Sequence, residues 1–299
     1  MQNLAPIALF VYNRPEHTRR TISCLQKNLL AEDSRLYIFA DNAIYGEDRQ
    51  KIDEVRALIK QTEGFKWVKI IESPIHYGLA ESIINGVSLL VKEYGKVIVF
   101  EDDLLSSPYT LRYLNDALDR YANDEKVMHI GAYMYPLEEK NLPQTFFYRA
   151  ATSWGWATWN RAWKNFNPDI NGLMKQFDKE KINRFSIEGT MNFWQQMKGF
   201  KSGKNDSWAI RWYASIFLNG GLTLNPAKSL IKNIGHDGSG VHSNKEEMYQ
   251  VQIDRHAVDF FPLEIVENPE AYAAIKHFLQ NRKGSLFARI KRFILKKVR

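Results

Sequence analysis

Four short apolar runs, each joined to the next by a stretch of helical period, fill the first 130 residues, and this alternation restricts the fold more than any other feature. Ile7-Ala8-Leu9-Phe10-Val11-Tyr12 reads as a strand ending at Asn13-Arg14-Pro15, and Pro15 is placed to open a helix holding Thr18 to Lys27. Leu36-Tyr37-Ile38-Phe39-Ala40 is a second strand, ending at Asp41. Ile52, Val55, Leu58 and Ile59 mark one face of a helix, and Trp67-Val68-Lys69-Ile70-Ile71 is the third strand. A helix over Leu79 to Tyr94, stopped at Gly95, precedes the fourth strand, Val97-Ile98-Val99-Phe100. A βαβαβαβ order predicts an α/β fold: a Rossmann-like, mostly parallel central sheet with right-handed crossovers, flanked by helices.

Parallel strands bring their carboxyl ends to one edge, where open α/β sheets bind ligands. Asn13, Arg14, Asp41 and the triplet Glu101-Asp102-Asp103 should therefore converge. Three adjacent carboxylates repel one another unless a cation or hydrogen-bond donor meets them. Mg²⁺ or Mn²⁺ suits such a place, because these ions take one or two carboxylates and fill the rest of their shell with phosphate oxygens and water. The plainer alternative is an acidic strand-to-loop junction facing solvent.

With 44% hydrophobic residues in 299, the chain has the material for a substantial core, and disorder is not expected. A net charge of +7 favours an anionic partner without choosing among ligand, nucleic acid and membrane. The single cysteine, Cys24, excludes an intramolecular disulfide and reads as a small buried helix residue. The first residues show no basic region, long apolar region or cleavage site, and no apolar stretch reaches the roughly 18 to 20 residues that span a bilayer. A cytoplasmic location is the expectation.

The second half is aromatic. Four of the eight tryptophans, Trp154, Trp156, Trp159 and Trp163, lie within ten residues, and the last three share the i, i+3, i+7 spacing of a buried helical face. Trp154 beside Gly155 fits that pattern less well and resembles a platform for the C–H face of a sugar. Asp206 reads either as the N-cap of a helix starting at Ser207 or as a general base. His236 and His242 lie in a glycine-rich loop whose spacing is too weak for a zinc site but suits a lid over a diphosphate. Neither the dinucleotide nor the P-loop fingerprint is present.

Strand-Asn13-Arg14, strand-Asp41, strand-Glu101-Asp102-Asp103, Tyr148-Arg149 leading to Gly155-Trp156, Asp206-Ser207-Trp208, and Pro226-x-x-Ser229 with the 235–242 loop together resemble the GT-A-fold glycosyltransferases, and among them N-acetylglucosaminyltransferase I and its bacterial sugar transferase relatives. The resemblance spans about residues 6 to 243. It implies that Arg14 and Asp41 hold the uridine of a UDP-sugar, Glu101 the donor sugar, Asp102 the ribose and Asp103 a Mn²⁺ on the diphosphate, with Asp206 as base of an inverting transfer. Residues 1–130 would then be the nucleotide-sugar half, 131–265 the acceptor half of the same domain, and 266–299 a helical tail. The tail's apolar positions, Leu286, Phe287, Ile290, Phe293, Ile294 and Val298, interleave with lysine and arginine. Such a segment suits the inner membrane surface and a lipid-linked saccharide acceptor, or else docking on the body of the protein or in a dimer. Two other functions stand beside this one: a nucleotidyltransferase that makes a nucleotide sugar, and a basic protein binding membrane or nucleic acid, although no nucleic-acid motif appears.

Overall fold

The computed structural model describes residues 3–44, 49–138, 141–236 and 249–282. The expected alternation is present: β1 (Ile7–Val11), α1 (Pro15–Gln26), β2 (Arg35–Ala40), α2 (Arg49–Ile59), β3 (Trp67–Glu72), α3 (Gly78–Tyr94) and β4 (Lys96–Glu101) follow in turn. The boundaries have local causes. Pro15 occupies the first turn of α1, where a missing N–H costs nothing. Gly95 ends α3 in the left-handed region (φ 78°), its N–H donating to the Val91 carbonyl at 2.9 Å. Cys24 is half-buried in α1, less enclosed than its sequence context implied.

β3-β2-β1-β4 pair in parallel, in the strand order of a mononucleotide-binding half. Ile7, Leu9, Ile38, Val97 and Ile98 are fully buried because helices cover the sheet on both faces.

The chain continues through β5 (Leu104–Ser106), α4 (Thr110–Arg120), β6 (Val127–Gly131), β7 (Thr145–Tyr148), β8 (Trp156–Trp159) and α5 (Asn160–Trp163). Then come α6 (Ile170–Lys175), α7 (Lys179–Phe185), α8 (Phe193–Lys201), α9 (Trp208–Leu218), β9 (Leu222–Pro226), β10 (Ile231–Asn233) and α10 (Pro269–Asn281). The same sheet runs on as β4-β8-β6-β9-β7, with β8 antiparallel to β4 and β6, β9 parallel to β6, and β7 antiparallel to β9. β6 straddles residue 130, and one sheet runs through both parts of the chain.

The tryptophan cluster is not a helix face. Trp156 to Trp159 form β8, paired with Lys96 to Val99, and only Trp163 is helical. A strand buried on both faces carries no polar alternation, so the i, i+3 coincidence of Trp156 and Trp159 imitated a helical stripe. Trp156 is fully buried, stacked on His129 and Trp208 with ring centroids 5.2 Å apart in each case. Of the proposed tail, α10 belongs to the described residues and 283–299 lies outside them. No described helix is long and apolar enough to cross a membrane.

Candidate active site at the carboxyl edge of the sheet

Register sets the edge. Val11 pairs with Ala40 and Phe10 with Glu101, so the turns after β1, β2 and β4 emerge side by side. Because β8 is antiparallel, with Val99 opposite Trp156, the residues before it, Trp154 and Gly155, lie at the same edge. β6 also points its carboxyl end there, with Gly131 opposite Trp156.

Arg14 and Asp103 meet at the centre. Arg14 Nη1 donates to Asp103 Oδ2 at 3.0 Å and lies 4.0 Å from Asp102 Oδ1. Asn13 precedes Arg14 in the half-buried β1–α1 turn. The Asp102 main chain is fixed by the Thr21 hydroxyl, which donates to its carbonyl at 2.8 Å. The roof comes from far along the chain: β10 pairs antiparallel with β5, Asn233 opposite Leu104, and the Ile234 N–H donates to the Asp103 carbonyl at 2.9 Å. Gly235 then lies so close that a Cβ there would sit 1.9 Å from Asp103 Oδ2 and 3.0 Å from Arg14 Nη1. Only glycine lets the backbone approach this carboxylate.

Burial first, and then the Asp103 charge, push the Asp102 carboxyl up to about 7, while Arg14 and a backbone hydrogen bond from Tyr12 act against the rise. Glu101 is likewise raised well above the usual carboxylate range, by burial and then by Asp103 and Asp102. Crowded anions beside a guanidinium are a cluster that gains from added positive charge, and hard oxygen donors fit Mg²⁺ or Mn²⁺. Among the described residues no three His, Cys, Asp or Glu side chains form a metal-binding group. An ion held here on Asp103 would therefore complete its shell from phosphate oxygens and water.

The raised carboxyl has a consequence for stability. Between the ordinary carboxylate value of 3.8 and about 7 the native Asp102 binds more proton than the unfolded one, so its contribution is full at low pH and lost as pH rises through that window. In chelator, unfolding free energy should fall with a slope of up to about 1.4 kcal/mol per pH unit from this group. Urea unfolding between about pH 5 and pH 8 should show a shallower fall for Asp102→Asn. Equal slopes in the two proteins would contradict the assignment.

Asp41 is built into the start of α3. Its Oδ1 accepts from the backbone N–H of Asn42 and of Tyr77, both at 2.9 Å, and Oδ2 from that of Gly78 at 2.8 Å. An anion at the positive end of a helix is stabilised there. Its outward contact is His76, whose Nδ1 lies 3.0 Å from Asp41 Oδ2 and 2.8 Å from the Asn42 carbonyl. His76 in turn tilts against Tyr12, ring centroids 5.2 Å apart. His76 was not singled out from the sequence, although it follows β3 as Asp41 follows β2, and the same edge rule points to it.

Beyond Gly235 the chain enters an aromatic cavity of about 250 Å³ lined by Tyr133, Tyr135, Trp154, Tyr249 and His236, together with Phe193 and Ile210. Trp154 meets Tyr133 edge-on at 4.4 Å and His236 at 5.2 Å. Both ring nitrogens of His236 and the hydroxyl of Thr152, which also lines the cavity, are buried without hydrogen-bond partners. Buried polar atoms of this kind are what a hydroxylated ligand satisfies. Gly155, at φ 67°, turns the chain between Trp154 on the cavity and Trp156 in the core, where a Cβ would meet Ile231 Cγ1 at 2.8 Å.

The structure therefore brings Asn13, Arg14, Asp41, Glu101, Asp102, Asp103, Trp154, Gly155 and His236 to one edge. Trp156 does not join them: it is a core residue of β8, a strand covered on both faces, stacked between His129 and Trp208. Asp206 is exposed and is not the N-cap of α9, since the Ser207 hydroxyl accepts from the Ile210 N–H at 3.3 Å. It lies three residues before Ala209, which lines the cavity with Ile210. His242 falls outside the described residues. Arg149 is directed to the C-terminal segment, its Nε donating to Glu267 Oε1 at 2.8 Å.

No protein family and no curated protein sequence matches this chain. Among solved structures it is similar to a mannosyltransferase, PcManGT from Pyrobaculum calidifontis, in complex with GDP-Man and Mn²⁺, at 11% identity and TM-score 0.43, over 72% of this chain and 69% of that one. It is similar to residues 1-349 of S. aureus TarS at 10% identity and TM-score 0.43, over 76% of this chain but only 59% of that one. A third similarity is to mouse xyloside xylosyltransferase 1 in its apo form, at 11% identity and TM-score 0.38, over 71% of this chain and 80% of that one.

Proposed function

We propose that this chain is a metal-dependent, inverting glycosyltransferase that moves a sugar from a nucleotide sugar, UDP-linked in the reading from sequence, to a saccharide or glycolipid acceptor in surface polysaccharide or lipopolysaccharide synthesis. The observation that carries the proposal is the continuity of the site: the Arg14–Asp103 pair under Gly235 leads, one residue on, through His236 into an aromatic cavity with unsatisfied polar atoms.

Each residue then has a task. Tyr12 and His76 offer ring faces to a nucleobase, with Asp41 holding His76 in place. Asp102 receives the ribose and Glu101 the donor sugar, while Arg14 with Asp41 holds the uridine. Asp103 would hold a divalent metal ion, which would supply charge stabilisation to the diphosphate leaving group. Trp154, Tyr133 and His236 enclose the sugar and exclude water, which limits hydrolysis of the donor. Asp206 accepts the proton of the acceptor hydroxyl on the face opposite the leaving group, giving inversion.

Thermal unfolding with a panel of UDP- and GDP-sugars, each with and without Mn²⁺, tests the function. A ligand at 100 times its Kd adds about 2.7 kcal/mol to apparent stability, which shifts the midpoint by several degrees. The expected result is a shift for at least one nucleotide sugar that disappears in chelator. No shift across the panel at millimolar ligand would overturn the reading.

A further inference from the structure

The longest strained stretch of backbone among the described residues borders the cavity. Ile187, Glu188 and Gly189 are consecutive in the left-handed region, at φ 50°, 46° and 77°. Only glycine adopts that region freely, and a β-branched residue there is a strong outlier that its surroundings must enforce. Ile187 is fully buried, and the turn is closed by the Glu188 N–H donating to the Asn183 carbonyl at 2.9 Å and the Met191 N–H to the Ser186 carbonyl at 3.0 Å. The residues that follow, Met191, Phe193 and Gln196, form one wall of the cavity.

α10 contacts the turn through Glu188. Glu188 Oε2 accepts from the Tyr272 hydroxyl and lies 3.2 Å from Lys276 Nζ, both on that helix. Glu188 Oε1 is 3.7 Å from Arg149 Nη1, and the Arg149 guanidinium lies 4.4 Å from the Tyr272 ring centroid. Arg149 stands two residues before Ala151, where a second wall of the cavity begins. Past the end of α10, Arg282 Nη1 donates to the Thr190 carbonyl at 2.9 Å. Phe278 stacks on Tyr135, a residue of a third wall, at 5.1 Å. One helix thus braces three walls, and Glu188 is where it grips the strained one.

We propose that Glu188 is a positioning residue through which α10 holds the 187–191 turn against the cavity and sets how tightly the cavity closes on its sugar. The sugar belongs to the glycosyltransferase reading, whereas the brace itself does not depend on it.

Three variants test the brace: Glu188→Ala, Glu188→Gly and Glu188→Gln. Glycine keeps the left-handed backbone without strain but removes the grip, and glutamine keeps an acceptor for Tyr272. Amide hydrogen exchange across 187–196 should rise about tenfold in both the Ala and Gly variants and much less in Gln. The KM for hydrolysis of the nucleotide sugar found by thermal shift should rise about tenfold with kcat within about threefold, while binding of bare UDP with Mn²⁺ stays within about twofold. Wild-type exchange and KM in Glu188→Gly would show that only backbone strain matters at this position and would overturn the proposal. So would unchanged exchange in all three. If the wild type binds no nucleotide, the glycosyltransferase reading fails, and the exchange data alone still decide the brace. Should Glu188→Ala not fold, the Gln and Gly variants carry the comparison.

Discussion

Asp103→Asn should abolish Mn²⁺-dependent nucleotide binding and lower transfer by about 10³-fold or more, since a metal on a departing diphosphate contributes several kcal/mol and each factor of ten is worth about 1.4 kcal/mol. The fold should survive. Loss of the 3.0 Å pair with Arg14 is offset by relief of the repulsion that raises Asp102 and Glu101. Titration calorimetry with UDP in Mn²⁺ and in chelator checks the first effect. A variant that binds UDP as tightly as the wild type in Mn²⁺, and loses that binding in chelator as the wild type does, removes Asp103 as the metal ligand.

Asp206→Asn should act on a different step. Loss of a general base lowers kcat by about 10² to 10⁴-fold, while the KM for the donor and UDP binding remain close to those of the wild type. Stability should barely change, because Ser207 caps α9 and Asp206 is exposed. The structure thereby separates two roles that the sequence left together: had Asp206 been the cap, Asp206→Asn would confound helix stability with catalysis. Steady-state kinetics beside a melting curve make the distinction, and full transfer activity in the variant would place the base elsewhere.

The α/β class and the positions of Arg14, Asp41 and the acidic triplet were legible because each is a local matter. A β-branched run makes a strand, a parallel crossover returns the next strand in the same sense, and polar residues at strand ends then share an edge. The tryptophan run shows where such reading fails. Trp156 and Trp159 have helical spacing yet lie in a strand covered on both faces, where burial erases the two-residue alternation that marks a half-exposed strand. Asp41 was placed at the carboxyl end of β2, but its backbone partners, Tyr77 and Gly78, lie at the start of a helix more than thirty residues later, and no spacing rule connects them.

The sequence by itself determined the parallel strands, the carboxylates at their ends and the aromatic composition of the second half, all consequences of short-range pattern. Tertiary structure decided what those residues meet. β5 and β10 are three residues each, too short to show any period, yet their pairing lays Asn233 beside Asp103 from 130 positions away and seats Gly235 on its carboxylate. The cavity walls likewise come from the segments after β6 and before β8, from α8 and α9, and from the segment after β10, which lie far apart in the chain. Pairings between such distant segments leave no local signature, because the energy that selects them is the burial and close packing of the whole sheet.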